Sequence, residues 1–351
     1  MKIAILTPRY LPQINGNTTT VNRLVIGLKN KKILTKVIDL STIKNNKKIL
    51  NIIKKFNPDI IHGIHAFKSG VIALEISRKL KKPLVMIVSG TDANHDLLNK
   101  ERRKIIVNVL TNSQKIIVFH KSIKNKVIKN LPSSKNRMRI IKQSVKLERK
   151  KFDLRKKLNL SKNDFVFLLP AGIRKIKYQN FCVDGFKRIH SKYNNVKVII
   201  AGPVLEKDFA NSFFNKIKEL DWIYYLKKIP HDKMFYAMKS SDVVMNKSIS
   251  EGGMSNAVLE AMYVGKPVLA SDIEGNRSII KDNVNGFLFN SESEFVKKAE
   301  LLIKNKKLRD RLGKKSKEIL RKNFSFKEEI DGYVRVYEEL TDKKLELARS
   351  E

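Results

Sequence analysis

Ser250-Glu251-Gly252-Gly253-Met254-Ser255-Asn256-Ala257-Val258-Leu259-Glu260-Ala261-Met262 puts one carboxylate before a double glycine and a second in the segment that follows. Apolar Val243, Val244 and Met245 precede it and read as the end of a buried strand. Ser255 stands where an N-cap belongs, and Ala257, Val258, Leu259, Ala261 and Met262 suit a helix or a core. Gly265-Lys266-Pro267 stops that helix, and Val268-Leu269-Ala270 starts the next strand. Strand, glycine-rich loop, helix, strand is the repeating unit of an α/β sheet. The first N–H groups of such a helix, with its positive dipole end, favour an anion such as a phosphate above the loop. Glu251 at the loop mouth and Glu260 on the helix would then take two polar parts of one ligand, such as the hydroxyls of two sugars. A plain βα turn with a surface glutamate is the competing reading.

The same alternation extends outward. In the second half, strands are expected at 165–169, 196–201, 223–226, 243–245, 268–271 and 286–289, with helices at 179–193, 207–220, 231–239, 292–304 and 306–322. In the first half, strands are expected at 3–6, 33–40, 58–62, 84–88, 116–119 and 140–141, with helices at 18–29, near Phe56, and at 69–80. Residues 144–162 are charged, lack a sustained apolar pattern and read as a linker. The 351 residues therefore suggest two α/β domains, each a Rossmann-like, doubly wound parallel sheet, at 1–150 and 151–325, facing a cleft. A last helix, 326–340, carries Tyr333, Val336, Tyr337 and Leu340 on one side, so the 326–351 segment is expected to pack back on the first domain.

Net charge is +39 and unevenly spread. Residues 1–150 hold 33 basic and 7 acidic side chains, a net of +26; the remainder holds 40 and 27, a net of +13. Such a field attracts an acidic membrane surface, nucleic acid or an acidic acceptor. A general bias towards Lys, Asn and Ile is the alternative for the total. The basic stretch 121–151 lacks interleaved aromatics, which speaks against a nucleic-acid platform. No run of 18 apolar residues occurs, and Pro8-Arg9 cuts the first apolar run too short for a signal peptide. With Cys182 as the one cysteine, no internal disulfide can form, and cytoplasm is the expected compartment, with a peripheral position at the inner membrane face.

Several residues fall at strand ends, where α/β sheets bind ligands. Arg174 and Lys177 follow the 165–169 strand and Ala171-Gly172; three apart in a tight loop, they suit one diphosphate, or else are two solvated charges. His65 lies past the 58–62 strand, and Asp92 follows the 84–88 strand as either a helix cap or a functional carboxylate. His62 and His65 have no third metal ligand near them along the chain, so no metal is expected. G-x-G-x-x-G, G-x-x-x-x-G-K-[ST] and D-x-D are all absent. A leaving diphosphate would have to be neutralised by Arg, Lys and a helix N-terminus rather than by a metal.

Glu251 to Glu260, with Gly265-Lys266-Pro267-Val268, Gly275-Asn276 and Asn285-Gly286, resembles the donor-binding signature of glycosyltransferase family 4, the group 1 glycosyltransferases of GT-B fold. Ala171-Gly172-Ile173-Arg174 and Lys177 resemble the family's basic pair. Asn15-Gly16-Asn17, His62-Gly63-Ile64-His65 and Ser89-Gly90-Thr91-Asp92 resemble its acceptor-domain segments, closest to the glycosyltransferase 1 domain-containing subgroup. The resemblance implies a nucleotide-sugar donor, no cofactor, no metal, and transfer to an acceptor hydroxyl with retention of anomeric configuration. By position, it puts Arg174 and Lys177 on the diphosphate, Glu251 on the donor sugar, Glu260 on the ribose, and Gly253, Met254, Ser255 and Asn256 around the sugar and distal phosphate. Gly16 would approach the phosphates, and His65 and Asp92 would face an acceptor, anionic or membrane-associated. Two departures are visible. Eight residues separate Glu251 from Glu260, one more than is usual in the family, and Gly90 stands where many members have histidine. A nucleotide-sugar 2-epimerase of the same fold and a non-catalytic nucleic-acid-binding protein are the alternative functions.

Overall fold

Apolar runs with no polar face make strands that must be covered on both sides. Ile3 and Ile5 point into one buried cluster with Val21, Leu24 and Leu28, while Ala4 and Leu6 point into another with Ile49, Ile53 and Leu74. The computed structural model describes residues 1–11, 16–251 and 254–350. The chain forms two units, Met1–Ser144 with Phe324–Glu351, and Val145–Asn323.

The first unit holds a sheet of β1 (Lys2–Thr7), β2 (Leu34–Asp39), β3 (Ile60–Ile64), β4 (Leu84–Ile87), β5 (Lys115–Val118) and β6 (Met138–Ile140), in the order β2-β1-β3-β4-β5-β6. The second holds β7 (Phe165–Pro170), β8 (Val196–Ala201), β9 (Ile223–Leu226), β10 (Val243–Asn246), β11 (Val268–Ser271) and β12 (Phe287–Phe289), in the order β12-β11-β10-β7-β8-β9. Every pairing is parallel. Strand order reverses between β1 and β3 in one sheet and between β7 and β10 in the other. Loops leaving neighbouring strands at such a point part to opposite faces and open a crevice at the strand ends.

The helix Phe326–Ser350 belongs to the first unit. Its Ile330, Tyr333, Val336 and Tyr337, spaced by three and four residues, are buried with Ile3, Ile5 and Ile60 of the sheet. Tyr337 OH lies 2.6 Å from His62 Nδ1 on β3. Glu329 meets Arg23 of the helix Gly16–Asn30 in a buried two-pronged ion pair, 2.7 and 2.8 Å, and also accepts the Ser144 N–H. That pair is strong only because the fork geometry and the Ser144 bond satisfy the carboxylate.

Among the described residues, two helices of ten residues or more were not foreseen, Lys100–Thr111 and Lys121–Asn130, nor was the short helix Glu274–Arg277. Each of the two long ones buries a narrow stripe, Ile106, Val109 and Leu110 in one, Ile123 and Val127 in the other, among basic residues that hide the period. The segment expected at 231–239 divides into a 3₁₀ turn, His231–Lys233, and a helix, Met234–Ser240. The expected linker carries one helical turn, Leu154–Lys157, capped by Asp153. Among the described residues no helix is long and apolar enough to cross a membrane.

Candidate active site

The reversal between β7 and β10 brings the loops after these strands together. After Pro170 the chain runs to Arg174 and turns through a 3₁₀ segment, Lys175–Lys177, closed by Tyr178 in the left-handed region at φ 39°. The Lys177 N–H donates to the Arg174 carbonyl at 2.9 Å, so both cations stand on one tight turn. The Ile249 N–H donates to the Ile176 carbonyl at 2.9 Å and ties the β10 loop to it.

Glu251 sits in this junction. Its carboxylate is ion-paired to the Lys177 ammonium, and the two side chains are only 14% and 13% exposed. Ser248 Oγ donates to Glu251 Oε1 at 2.7 Å, and Lys177 Nζ also reaches Ser248 Oγ at 3.0 Å. Asn246 Nδ2 lies 3.3 Å from the same carboxylate oxygen. Burial alone would push the Glu251 carboxyl up; the Lys177 charge, with the hydrogen bonds from Lys177, Ser248 and Asn246, outweighs it and holds the group below the usual range. Arg174 Nε is buried and has no partner among the described residues.

The helix Asn256–Val264 follows, with Ser255 at its N-cap position. Ser255 does not cap it with its side chain: its Oγ accepts from Asn246 Nδ2 at 2.9 Å. Met254 is buried, and Asn256 opens the helix. Glu260 is buried on this helix, and its Oε1 lies 2.8 Å from His231 Nε2. Gly265 ends the helix at φ 83°, a conformation that costs a side-chain-bearing residue, as the Gly-Lys-Pro stop required. Gly253, with Gly252, lies outside the described residues.

In the first unit, His65 follows β3 at φ 76°, a left-handed conformation rare for a residue with a side chain. Its Nδ1 lies 2.6 Å from Asp92 Oδ1. Asp92 does cap a helix: at the third position of the short helix Gly90–Asn94 it closes a capping box by accepting the Ser89 N–H at 2.8 Å, and it also accepts the N–H groups of Ala66 and Phe67 at 3.2 Å. Those three N–H groups fix the carboxylate in place, and the Lys68 N–H lies 3.4 Å from the same His65 Nδ1. The expectation that no third ligating group comes near His65 is corrected: the fold adds Asp96, and His65, Asp92 and Asp96 offer donor atoms within 4.8 Å of one another. His65 Nε2 and Asp96 Oδ2 are 3.9 Å apart, beyond hydrogen-bonding reach, while Arg102 occupies Asp96 Oδ1 at 2.8 Å. A guanidinium there already balances the Asp96 charge, which disfavours a second cation. His62 takes no part in this group. It is buried and bonded to Tyr337. Gly16 is the exposed first residue of its helix.

Arg174, Lys177, Glu251, Ser255 and Glu260 thus share one sheet end of the second unit, and His65 and Asp92 one sheet end of the first. Asn246, Ser248 and His231 were missed, and Asn276, quoted within the donor-binding signature, was given no role. The first two lie only five and three residues before Glu251, and the strand-end position was the available signal. His231 lies 29 residues from Glu260, and only the packing of the chain brings them together.

Residues 3–149 match the family described as Glycosyltransferase Family 4, and residues 150–319 match Glycosyl transferases group 1. The glycosyltransferase 1 domain-containing protein 1 of Xenopus tropicalis is 31% identical over 342 residues, covering 95% of this chain and 96% of that protein. An uncharacterised glycosyltransferase of Methanocaldococcus jannaschii is 30% identical over 361 residues, covering 95% of this chain and 97% of that one. The crystal structure of Anabaena HepE in complex with UDP and glucose superposes with a TM-score of 0.82 at 17% identity, covering 97% of this chain and 100% of HepE, and shares the GT-B fold. With such identity along nearly its whole length, the chain belongs to the group 1 glycosyltransferases of family 4 and is a glycosyltransferase.

Proposed function

We propose that the chain is a retaining, metal-independent glycosyltransferase that takes a sugar from a nucleotide-diphosphate donor and gives it to an acceptor hydroxyl. One observation carries this reading: the Lys177–Glu251 pair, beside Arg174, at the strand-order reversal of the second sheet. A diphosphate can draw Lys177 from Glu251, and the released carboxylate then accepts the sugar hydroxyls. Arg174, Lys177 and the N-terminus of the helix Asn256–Val264 meet the charge of the leaving diphosphate, so no metal and no cofactor is called for. Glu260, already a partner of His231, takes the ribose hydroxyls, and the N–H groups of Met254 to Asn256 meet the sugar and distal phosphate; the same role expected of Gly253 lies outside the described residues.

The bond from the sugar to phosphate oxygen breaks, the bond to acceptor oxygen forms on the same face, and the acceptor proton leaves on the departing phosphate. His65 and Asp92, with Gly16, belong to the acceptor-side unit. A uridine nucleotide is a natural first probe because HepE is described with UDP and glucose. The net charge of +26 in residues 1–150 supports an anionic acceptor, or a cytoplasmic enzyme working against an acidic membrane surface. The test is proton NMR of the product formed from UDP-, GDP- and ADP-sugars with and without EDTA. Retained configuration at an unchanged rate in EDTA is expected; an inverted product, or loss of activity in EDTA, contradicts the mechanism.

A further inference from the structure

The geometry points to Asn246 as the positioning residue that sets Glu251 and Ser255, and to Asn276 as the residue that sets Asn246. The inference rests on the reading of Glu251 as the donor-sugar carboxylate. Asn246 is the last residue of β10 and is 3% exposed; Asn276 is fully buried. Asn276 Nδ2 donates to the Ser271 carbonyl at 2.9 Å and to Asn246 Oδ1 at 3.1 Å. A main-chain carbonyl only accepts, so the Asn276 amide group is fixed with its nitrogen towards Ser271 and Asn246. The oxygen of Asn246 must then face Asn276, and its nitrogen must face the other way. There it finds Glu251 Oε1 at 3.3 Å and Ser255 Oγ at 2.9 Å. Glu251, an ionised acceptor, demands the same orientation from its own side. The assignment of nitrogen and oxygen is therefore fixed from both ends rather than by convention.

Asn246 thereby spends its two N–H groups on residues that precede and follow the double glycine in sequence. It holds Glu251 and the N-cap residue of the next helix to one rigid strand end. The extra residue between Glu251 and Glu260 makes such a pin useful, because sequence spacing alone no longer sets where Glu251 stands. Ser248 supports the same carboxylate and is anchored separately: its N–H donates to Ser271 Oγ at 3.0 Å, and its carbonyl accepts from Ser271 Oγ at 2.8 Å.

Asn246→Asp keeps the shape and the acceptor for Asn276 but turns a carboxylate towards Glu251. Two carboxylates so close share a proton. We expect affinity for the best-binding of UDP-, GDP- and ADP-glucose to fall at least tenfold at pH 8, with recovery as pH drops and the shared proton returns. Affinity for the corresponding free nucleoside diphosphate should change less than twofold, since Arg174 and Lys177 remain. Asn276→Ala, which buries no new charge, keeps the question open to measurement if Asn246→Asp does not fold; it should lower the same sugar-nucleotide-to-nucleotide ratio about threefold. An unchanged ratio and pH profile in both variants, with Glu251→Ala losing sugar-nucleotide affinity, overturns the role of Asn246 alone. Glu251→Ala with wild-type affinity, or no binding of any of the three donors by the wild type, overturns the reading of Glu251 and the inference with it.

Discussion

Lys177→Met leaves the Glu251 carboxylate buried without its cation, and the cost can be bounded. Glu251 is 14% exposed, so water replaces little of what Lys177 supplied. Removing one member of a buried pair costs about 3–5 kcal/mol when the other charge is trapped. Here the carboxyl has an escape, because it can take up a proton. Its ordinary value is 4.5, so holding it protonated at pH 7 costs about 3.4 kcal/mol, at about 1.4 kcal/mol per pH unit, and this is a ceiling. Ser248 and Asn246 still donate to the ionised form and lower the expected loss to about 2–3 kcal/mol at pH 7.

The sign follows from the direction of each shift. In the wild type the folded value of Glu251 is depressed, so its contribution is present above 4.5 and is lost as pH falls through the folded value. In Lys177→Met the folded value is raised, so the penalty is present at neutral pH and fades as pH falls towards 4.5. Lys177→Met with Glu251→Gln removes both charges and should return within about 1 kcal/mol of the wild type. Urea unfolding of the wild type, Lys177→Met, Glu251→Gln and the double variant at pH 5 and pH 7.5 measures this. Lys177→Met as stable as the wild type at pH 7.5, or a loss there that does not shrink at pH 5, refutes the pair.

His62 has its ring pushed down to about 3 by burial. Because the folded value lies below the ordinary 6.5, stability should fall as pH drops from 6.5 towards 3, by up to about 1.4 kcal/mol per pH unit, and His62→Gln should lose one proton's worth of that slope in acid titrations followed by circular dichroism. Gly313 of the helix Lys306–Asn323 leaves no room for a side chain: an added Cβ would stand 2.1 Å from the Gly265 carbonyl oxygen. Gly313→Ala should therefore cost about 1–3 kcal/mol by thermal unfolding, and an unchanged midpoint would show that the two helices do not approach so closely.

The strands were legible because parallel strands covered on both faces are written as unbroken apolar runs, as Ile3 to Leu6 and Phe165 to Leu169 are. Lys100–Thr111 and Lys121–Asn130 were not, since two or three buried residues among lysines and arginines leave no readable period. Arg174, Lys177, Glu251 and Glu260 could be picked out because each sits directly after a strand or on the helix that follows one. Their partners could not be matched from the sequence. Ser248 and Asn246 act on Glu251 from the same strand end, but Asn276 comes from the short helix Glu274–Arg277 after β11 and His231 from the turn after β9, and only the strand order makes them neighbours. The Asp96 approach to His65 is of the same kind, a meeting of the ends of β3 and β4.

In the proposed mechanism Arg174 and Lys177 hold a nucleotide-sugar diphosphate on the second unit. Isothermal titration with UDP-, GDP- and ADP-glucose, on the wild type and on Arg174→Ala with Lys177→Ala, tests that role most directly. Saturable binding of at least one donor by the wild type and its loss in a folded double variant are expected; undiminished binding by that variant would contradict a diphosphate held by Arg174 and Lys177.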